Sequence, residues 1–263
     1  MPVLTVAIAV AIGIVLLLRK ARFHYERLPK IPYASGAQFG EVAIIVPERN
    51  ERVLQSFPED MVVLVDDHAE DRAAEIARRT PEAEWLLFVD ARTQYARVFL
   101  PSLMQYAVDE NLETVGVLLR QEATTLSEKI LLPYGLALRF TGEKALPANA
   151  PCLLVKRQVY LQMGTASGVR ARMTRAEHMG SIRPHGFEPI RFSLPSVLAA
   201  LLLASWLPML ALLILSGYTR QAMIFGLLPS VILFPWYRGP ATLFAPLAIY
   251  LYLWNALRTR TSA

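Results

Sequence analysis

The stretch WLLFVDARTQY, Trp85 to Tyr95, sets five consecutive apolar residues directly before a carboxylate, Asp90. An unbroken apolar run of this kind is typical of a strand that is buried on both faces, as in a parallel sheet covered by helices. Similar runs recur between Glu41 and Phe192, with helical patterns between them: VAIIV (42–46), MVVLV (61–65), TVGVLL (114–119) and CLLV (152–155). The sequence therefore predicts an α/β domain with a mostly parallel sheet joined by crossover helices.

Two segments of this domain have the pattern of crossover helices. DRAAEIARR begins with Asp71, a residue type that is favourable at a helix N-cap. ARVFLPSLMQYAVDE, residues 96–110, requires Pro101 to lie in the first turn, where proline is tolerated. A third segment, Leu126 to Phe140, fits either an amphipathic helix on a membrane surface or a core helix broken near Pro133.

Polar residues follow the first two predicted strands. PERNE (47–51) comes after the first and DDHAED (66–71) after the second. Ligands of open parallel sheets bind beyond the carboxyl ends of the strands, so both segments are candidate binding loops. Strands of any parallel sheet end in polar loops, however, and position alone does not define a site.

The N-terminal residues have the features of a membrane anchor. The chain is 54% hydrophobic and 19% charged, which is too apolar for a purely soluble protein. Pro2 to Leu18 is uncharged and about as long as a bilayer core requires, and the basic segment RKARFHYER follows it. A secretory signal carries its positive charges before the apolar run, so an uncleaved anchor with a cytosolic basic end is predicted. A buried core helix is the alternative.

The C-terminal third contains three more apolar runs. Leu194 to Ser216 and Ala241 to Leu257 are spans by length. Ala222 to Tyr237 is shorter and contains two prolines, which favours a re-entrant or interfacial segment and would leave the basic tail on the cytosolic side. The net charge of +5 is assigned to membrane orientation and lipid headgroups, and no nucleic-acid partner is expected.

These patterns predict a multi-pass protein of the cell membrane with its soluble domain on the cytosolic side. Residues 1–19 form the anchor, 20–40 a basic juxtamembrane segment and linker, 41–192 the α/β domain, and 193–263 a membrane region of two or three helices. The single cysteine, Cys152, excludes an intramolecular disulfide, and its apolar neighbours predict a core residue.

Taken in order, four segments resemble a family 2 glycosyltransferase of the GT-A fold: VAIIVPERNE, VVLVDDHAEDRAAEIA, WLLFVDARTQ and PCLLVKRQVYLQMG. The usual wording of that family is a strand ending in VPARNE, a strand ending in VDDGSTDGT, a strand ending in LDAD, and a later strand and helix reading like LLRREAYEAIGG. The resemblance covers Val42 to Gly164 and looks closest to the membrane-anchored branch that handles lipid acceptors, as in hopanoid, carotenoid and ceramide glycosylation.

The resemblance implies a nucleotide diphosphate sugar as donor and a lipid or isoprenoid acceptor. The nucleotide site would be lined by residues after the first two strands: Pro47, Glu48, Asn50, Glu51, Asp66 and Asp67. Within this set, Asp67 would meet uracil or another base, and Asp66 would support the loop. Asp90 would be the first acid of the motif that holds the diphosphate and a Mg²⁺ or Mn²⁺ ion.

The chain departs from the family pattern at two places. Arg92 stands where the family has its second metal acid, and a guanidinium has no lone pair to offer a metal. If ARMTRAEHMG (171–180) is the helix after the catalytic acid pair, that pair falls on Gly168 and Val169, so the usual base is missing.

Substitutes for both losses are present in the sequence. Arg92 is a candidate to stabilise a diphosphate leaving group without metal, and Glu177 or His178 is a candidate base. The alternatives are an Arg92 that pairs with a nearby acid, and a Glu177 and His178 that face solvent on a surface helix.

Two functions follow. The first is a membrane-anchored glycosyltransferase that transfers sugar to a lipid or isoprenoid acceptor with inversion. The second is a catalytically degenerate homologue that binds a nucleotide or acts as a membrane scaffold.

Overall fold

The computed structural model describes residues 2–34, 40–46, 53, 55–65, 72–122, 128, 140, 152–163, 171–183, 194–233 and 250. The chain divides into two compact units. One comprises Met1–Arg27, Ala123–Ala145 and Pro184–Ala263, and its described elements are helices. The other comprises Leu28–Glu122 and Leu146–Arg183, and it contains every described strand.

Nine strands lie within the described part of the second unit. In chain order they are β1 (Val42–Val46), β2 (Val62–Leu64), β3 (Trp85–Val89), β4 (Thr93–Tyr95), β5 (Thr114–Leu118), β6 (Arg120–Gln121), β7 (Cys152–Lys156), β8 (Arg172–Arg175) and β9 (Gly180–Ile182). Six of them form one sheet in the order β2-β1-β3-β7-β5-β8, and three form a smaller sheet in the order β4-β9-β6.

The large sheet is mostly parallel, as the apolar runs predicted. Strand β1 pairs in parallel with β2 and β3, and β5 pairs in parallel with β8. Strand β7 is the exception, because it pairs antiparallel with both β3 and β5. The expectation that CLLV is a parallel strand of this sheet was therefore wrong, because β7 runs in the opposite direction to its neighbours. An apolar run reports burial on both faces, and burial does not depend on which way the strand runs.

Both faces of the large sheet are covered. Alternate residues of β1 and β3, such as Ile44 and Leu87, join one core with the helix Phe99–Asp109, while Ile45 and Leu86 join a second core with Ile76. All five residues of β1 and all five of β3 are buried. Two-sided burial explains why these strands lack the apolar–polar alternation of a half-exposed sheet.

Three α-helices cover this unit within its described residues: α2 (Arg72–Arg79), α3 (Phe99–Asp109) and α4 (Arg157–Met163), with a 3-10 turn at Glu59–Met61. Pro101 lies in the first turn of α3, as predicted, because the N–H that proline lacks has no helical partner there. Asp71, the predicted N-cap of α2, lies outside the described residues.

The segment ARMTRAEHMG is not the expected helix. Residues Arg172–Arg175 form β8, residues 177–179 form a turn, and Gly180 begins β9. The side-chain hydroxyl of Thr174 donates to the Gly116 carbonyl over 3.2 Å, and β8 pairs with β5 along its length. Pairing with a strand more than fifty residues earlier overrides the helical pattern, which local sequence cannot reveal.

The first unit contains four helices in its described residues: α1 (Pro2–Glu26), α5 (Leu194–Ala204), α6 (Trp206–Leu215) and α7 (Thr219–Leu233). Helix α1 packs against all three others. Its buried residues recur at helical spacing, namely Ala7, Ile14, Leu18 and Ala21. Other apolar residues of these helices point away from neighbours, including Ile12 on α1 and Leu201, Leu215 and Met223 beyond it.

Among the described residues, α1 alone is long and apolar enough to cross a membrane by length and composition. The expected single span over Leu194–Ser216 is instead two helices that meet at Ser205. Proline at 208 has no N–H for the Ala204 carbonyl, and the Tyr250 hydroxyl donates to that carbonyl instead. The same hydroxyl accepts from the Leu207 N–H over 3.2 Å. Ala241–Leu257 and Leu126–Phe140 lie outside the described residues, apart from Tyr250 and two others.

Candidate functional site

The order of strands creates a topological switch point between β1 and β3, the position at which open α/β sheets form a ligand-binding crevice. Strand β2 lies on one side of β1 and β3 lies on the other. The connection from β1 to β2 and the connection from β2 to β3 therefore lead to opposite sides of β1. Because the three strands are parallel, Val46, Leu64 and Val89 end at the same edge of the sheet. Ligands of open α/β sheets bind at such a divergence, beyond the carboxyl ends of the strands.

The predicted site residues come directly after these strand ends. The loop residues Pro47, Glu48, Asn50, Glu51, Asp66 and Asp67 lie outside the described residues, so their roles stay predictions. Asp90 follows β3 and is described. The order of strands thus puts the three segments that the sequence singled out at one edge, whatever their loop geometry.

Asp90 and Arg92 form an ion pair with two side-chain hydrogen bonds in the turn between β3 and β4. The Arg92 Nε donates to Asp90 Oδ1 over 2.7 Å, and Arg92 Nη2 donates to Asp90 Oδ2. The Arg92 backbone N–H also donates to Asp90 Oδ1, over 2.9 Å. Both side chains are about three-quarters buried, with 27% and 26% of their surface exposed. This two-pronged arrangement is the strong form of a carboxylate–guanidinium contact.

The pair changes what Asp90 offers to a ligand. Three N–H donors of Arg92 occupy lone pairs of the Asp90 oxygens and its guanidinium offsets the carboxylate charge, so Asp90 is a weaker ligand for a divalent cation than an unpaired acid. Within the described residues no cluster of three His, Cys, Asp or Glu side chains is placed to hold a metal ion. The described residues therefore do not fit the Mg²⁺ or Mn²⁺ ion that the family resemblance implies.

A buried cluster of aromatic side chains lies next to this turn. The Tyr95 ring lies 4.4 Å from the Phe99 ring and 5.1 Å from the Phe57 ring, centroid to centroid. Burial raises the pKa of Tyr95 well above its ordinary value, and burial also raises the pKa of the neighbouring Cys152 thiol to about 12. Cys152 is therefore a buried core residue, as predicted, and its raised pKa favours the thiol over the reactive thiolate.

Glu177 and His178 lie in the turn between β8 and β9, and not on a surface helix. Glu177 is partly buried, and burial raises the pKa of its carboxyl group. The His178 imidazole meets the Tyr33 ring edge-on, with 4.7 Å between centroids. Both residues line an open cleft of about 550 Å³ together with Lys30, Ile31, Tyr33 and Arg175.

The sequence did not indicate the other wall of this cleft, because Tyr33 falls in a segment read as linker. Residues next to it pair with β8: the Ile31 N–H donates to the Arg175 carbonyl over 3.1 Å, and the Arg175 N–H donates to the Pro29 carbonyl over 2.9 Å. These contacts join residues about 145 positions apart, so no local sequence pattern predicts them. The aromatic residue Tyr33 within that segment was a signal that the sequence offered, and its side chain is 66% accessible in the structure.

No protein-family model and no characterised protein sequence matches the chain. Among solved structures it is similar to the mannosyltransferase PcManGT from Pyrobaculum calidifontis, in complex with GDP-Man and Mn²⁺, at 16% identity and a TM-score of 0.47, over 96% of this chain and 99% of that one. It is also similar to glucosyl-3-phosphoglycerate synthase from Mycobacterium tuberculosis, in complex with Mn²⁺, UDP-Glc and phosphoglyceric acid, at 14% identity and a TM-score of 0.32, over 70% of this chain and 87% of that one. Similarity at this level does not identify a function.

Proposed function

We propose that this protein is a membrane-anchored glycosyltransferase of the GT-A type, which binds a nucleotide diphosphate sugar at the β1–β3 crevice and transfers the sugar to a lipid or isoprenoid acceptor with inversion. One observation carries the proposal. The strand order β2-β1-β3 brings the carboxyl ends of three parallel strands to one edge, and the motif-bearing segments follow those ends.

In this reading the donor is held by hydrogen bonds and fixed charge. Loop residues after β1 and β2 contact the nucleoside, with Asp67 accepting from the base. Arg92, held by Asp90 at the end of β3, takes the place of the second metal acid and donates hydrogen bonds to the diphosphate, so that no divalent cation is needed there to offset two acids.

The helical unit anchors the domain in the cell membrane, with the sheet domain on the cytosolic side. Helix α1 is long enough to span a bilayer, and large apolar side chains such as Ile12, Leu201 and Met223 are more than half exposed on α1, α5 and α7. Soluble proteins rarely expose so many large apolar side chains, whereas lipid solvates them. The basic residues after Leu18 favour the cytosolic orientation.

The Asp90–Arg92 pair favours a second candidate function as well. If the pair is what remains after a metal site was lost, the protein binds a nucleotide without catalysis and serves as a membrane scaffold. Purified protein mixed with labelled nucleotide sugars and lipid acceptors separates the two, because only the first function produces a glycolipid.

The binding step has a direct test. Uridine or guanosine diphosphate is added to the full chain in detergent, and the thermal unfolding midpoint is measured. We expect protection in the wild type and its loss in Asp67→Ala, since a hydrogen bond to a carboxylate contributes about 1.5 to 3 kcal/mol. Asp60→Ala is the matched control, because Asp60 is an exposed acid at the opposite end of β2. No protection by either nucleotide overturns the proposed function.

A further inference from the structure

The cleft between residues 29–33 and the β8–β9 turn contains two opposite charges that are not paired with each other. Lys30 and Glu177 both line it. Within the residues that the structure describes, neither of these side chains has a hydrogen bond or an ion pair. Glu177 is also partly buried, which raises the pKa of its carboxyl group, and a charge that is withdrawn from water is stabilised by a partner of opposite sign. The two charges therefore indicate a ligand that carries both signs.

The positive side of the cleft consists of Lys30 and Arg175, which lie opposite each other in a parallel bridge at the outer edge of β8. Opposite residues of neighbouring strands direct their side chains to the same face, where two like charges repel each other. Arg175 is only 8% exposed, and its Nε donates to the Leu28 carbonyl over 3.2 Å, so this cation is fixed in place. An anion placed between the two cations lowers their repulsion, and a phosphate group suits both.

The other side of the cleft combines a carboxylate with aromatic rings. Tyr33 and His178 form an edge-on pair with 4.7 Å between ring centroids, and the Tyr33 side chain is 66% accessible. An ammonium group binds favourably both to a carboxylate and to the face of a tyrosine ring. Ile31 and Pro32 add apolar surface to the same cleft, whose volume of about 550 Å³ is that of a small-molecule site.

We propose that this cleft binds the headgroup of a zwitterionic phospholipid, with the phosphate group at Lys30 and Arg175 and the ammonium group at Glu177 and the Tyr33 ring. The bound lipid is not a sugar acceptor, because a phosphoethanolamine headgroup carries no hydroxyl group. It is a membrane contact of the sheet domain itself. The inference rests on the membrane anchoring in the proposed function and not on the transfer reaction.

A membrane lipid is favoured over a water-soluble phosphate compound by the sequence around the cleft. Lys30 comes four residues after Glu26, the last residue of α1, which is the proposed span. The segment that includes Lys30 also carries an exposed proline and an exposed tyrosine, Pro32 and Tyr33. Tyrosine and lysine are residues that occur at the interface between a membrane and water, where one part of the side chain is apolar and the other is polar.

The experiment uses the full chain in uncharged maltoside micelles that contain equal amounts of phosphatidylethanolamine and phosphatidylglycerol. Both lipids carry a phosphate group, but only the first carries an ammonium group. Native mass spectrometry measures the ratio of the two lipids that stay bound. We expect wild type to retain phosphatidylethanolamine about fivefold over phosphatidylglycerol. Glu177→Gln and Tyr33→Leu should each reduce this ratio to below about twofold, because the ammonium group loses a partner.

Lys30→Ala should lower the bound amount of both lipids by about threefold, since both lose a phosphate contact. The matched controls are Glu82→Gln and Arg78→Ala, an exposed acid and an exposed arginine that do not line the cleft, and both should behave as wild type. The thermal unfolding midpoint of each variant without added lipid shows that it is folded.

Equal retention of the two lipids by wild type overturns the inference. A preference that survives both Glu177→Gln and Tyr33→Leu in folded protein also overturns it. Glycerophosphoethanolamine, the water-soluble headgroup, is added as a competitor and should displace the lipid weakly. If it binds as tightly as the lipid, the ligand is a soluble compound and the membrane contact is overturned. Failure to bind a nucleoside diphosphate, measured separately, overturns the proposed transferase and leaves the headgroup site standing.

Discussion

The Arg92 guanidinium holds both oxygens of the Asp90 carboxylate, two residues earlier in the same turn, with Nε to Oδ1 at 2.7 Å. The two charges cancel at the position where the family 2 pattern places a pair of acids. An arginine at this position is thus the partner of the remaining acid, which was the plainer of the two interpretations that the sequence left open. Its additional role toward a diphosphate stays a prediction.

The first prediction concerns metal dependence. Nucleoside diphosphate binding by the wild type should be unchanged by chelator, because Arg92 neutralises Asp90 and no pair of acids remains at the turn to hold a metal ion. Arg92→Asp should make binding depend on Mn²⁺ or Mg²⁺, since two carboxylates then stand at the turn. Titration calorimetry with and without manganese measures both. Arg92→Lys is the control, because it keeps the positive charge and loses the two-pronged hydrogen bonding of the guanidinium. Chelator-sensitive binding by the wild type would contradict the assignment.

The second prediction concerns Cys152 and alkaline pH. Burial raises its pKa from 9.0 to about 12, so the folded state keeps a proton that the unfolded state loses above pH 9. Stability from this group is complete below pH 9 and falls as pH rises toward 12, by about 1.4 kcal/mol per pH unit. Denaturant unfolding should give a lower free energy of unfolding at pH 10.5 than at pH 8. This difference should be smaller in Cys152→Ala. Iodoacetamide should label the native thiol only after unfolding. Fast labelling of native protein would mean that Cys152 is accessible.

The third prediction concerns Gly180, where β4 and β9 approach closely. An added Cβ would lie 3.1 Å from the Gln94 carbonyl oxygen and equally near the Leu119 and Tyr95 side chains. We expect Gly180→Ala to reduce the free energy of unfolding by about 1 to 3 kcal/mol through overpacking. Gly226→Ala is the control, since its Cβ would meet only Leu210 at 3.7 Å, and alanine in a helix should be neutral or stabilising. Equal effects at both sites would show that the close approach at Gly180 is absent.

The fourth prediction distinguishes lipid from water around α1. Ile12 is 54% exposed near the middle of the apolar run, and Phe23 is 51% exposed in the basic segment that follows it. If α1 crosses a bilayer, Ile12→Lys places a charge in the hydrocarbon core at a cost of about 2.5 to 3.5 kcal/mol, whereas Phe23→Lys lies at the interface. Carbonate-washed membranes should therefore retain wild type and Phe23→Lys fully and Ile12→Lys poorly. In a soluble protein Ile12→Lys would cost no more than Phe23→Lys, which loses the contact between the Phe23 ring and Arg27 at 4.1 Å.

The fifth prediction tests the hydroxyl at the junction of α5 and α6. Tyr250→Phe leaves the Ala204 carbonyl without its hydroxyl partner, and we expect a loss of about 1 to 3 kcal/mol. Pro208→Ala restores a backbone N–H at the position that can close on Ala204. Thermal unfolding of the single and double variants forms a cycle, in which Tyr250→Phe should cost less beside Pro208→Ala. Additive effects would show that the hydroxyl and the proline act independently.

Uninterrupted apolar runs determined five of the six strands of the large sheet, all except β8, since residues such as Ile44 and Leu87 need burial on both faces in any arrangement that shields them. The same local chemistry determined the first-turn position of Pro101 and the burial of Cys152.

Tertiary structure alone decided the direction of β7, the strand at Arg172–Arg175 and the cleft beside Glu177. Each depends on a partner far along the chain: β3 for β7, Gly116 for Thr174, and Pro29 for Arg175. Hydrogen bonds between distant residues outweigh local preference because a buried backbone group must find a partner wherever one is available. The pairing of Asp90 with Arg92 depends on both local sequence and tertiary structure. The sequence set the two residues two positions apart in a turn, and the surrounding fold withdrew them from water so that they satisfy each other.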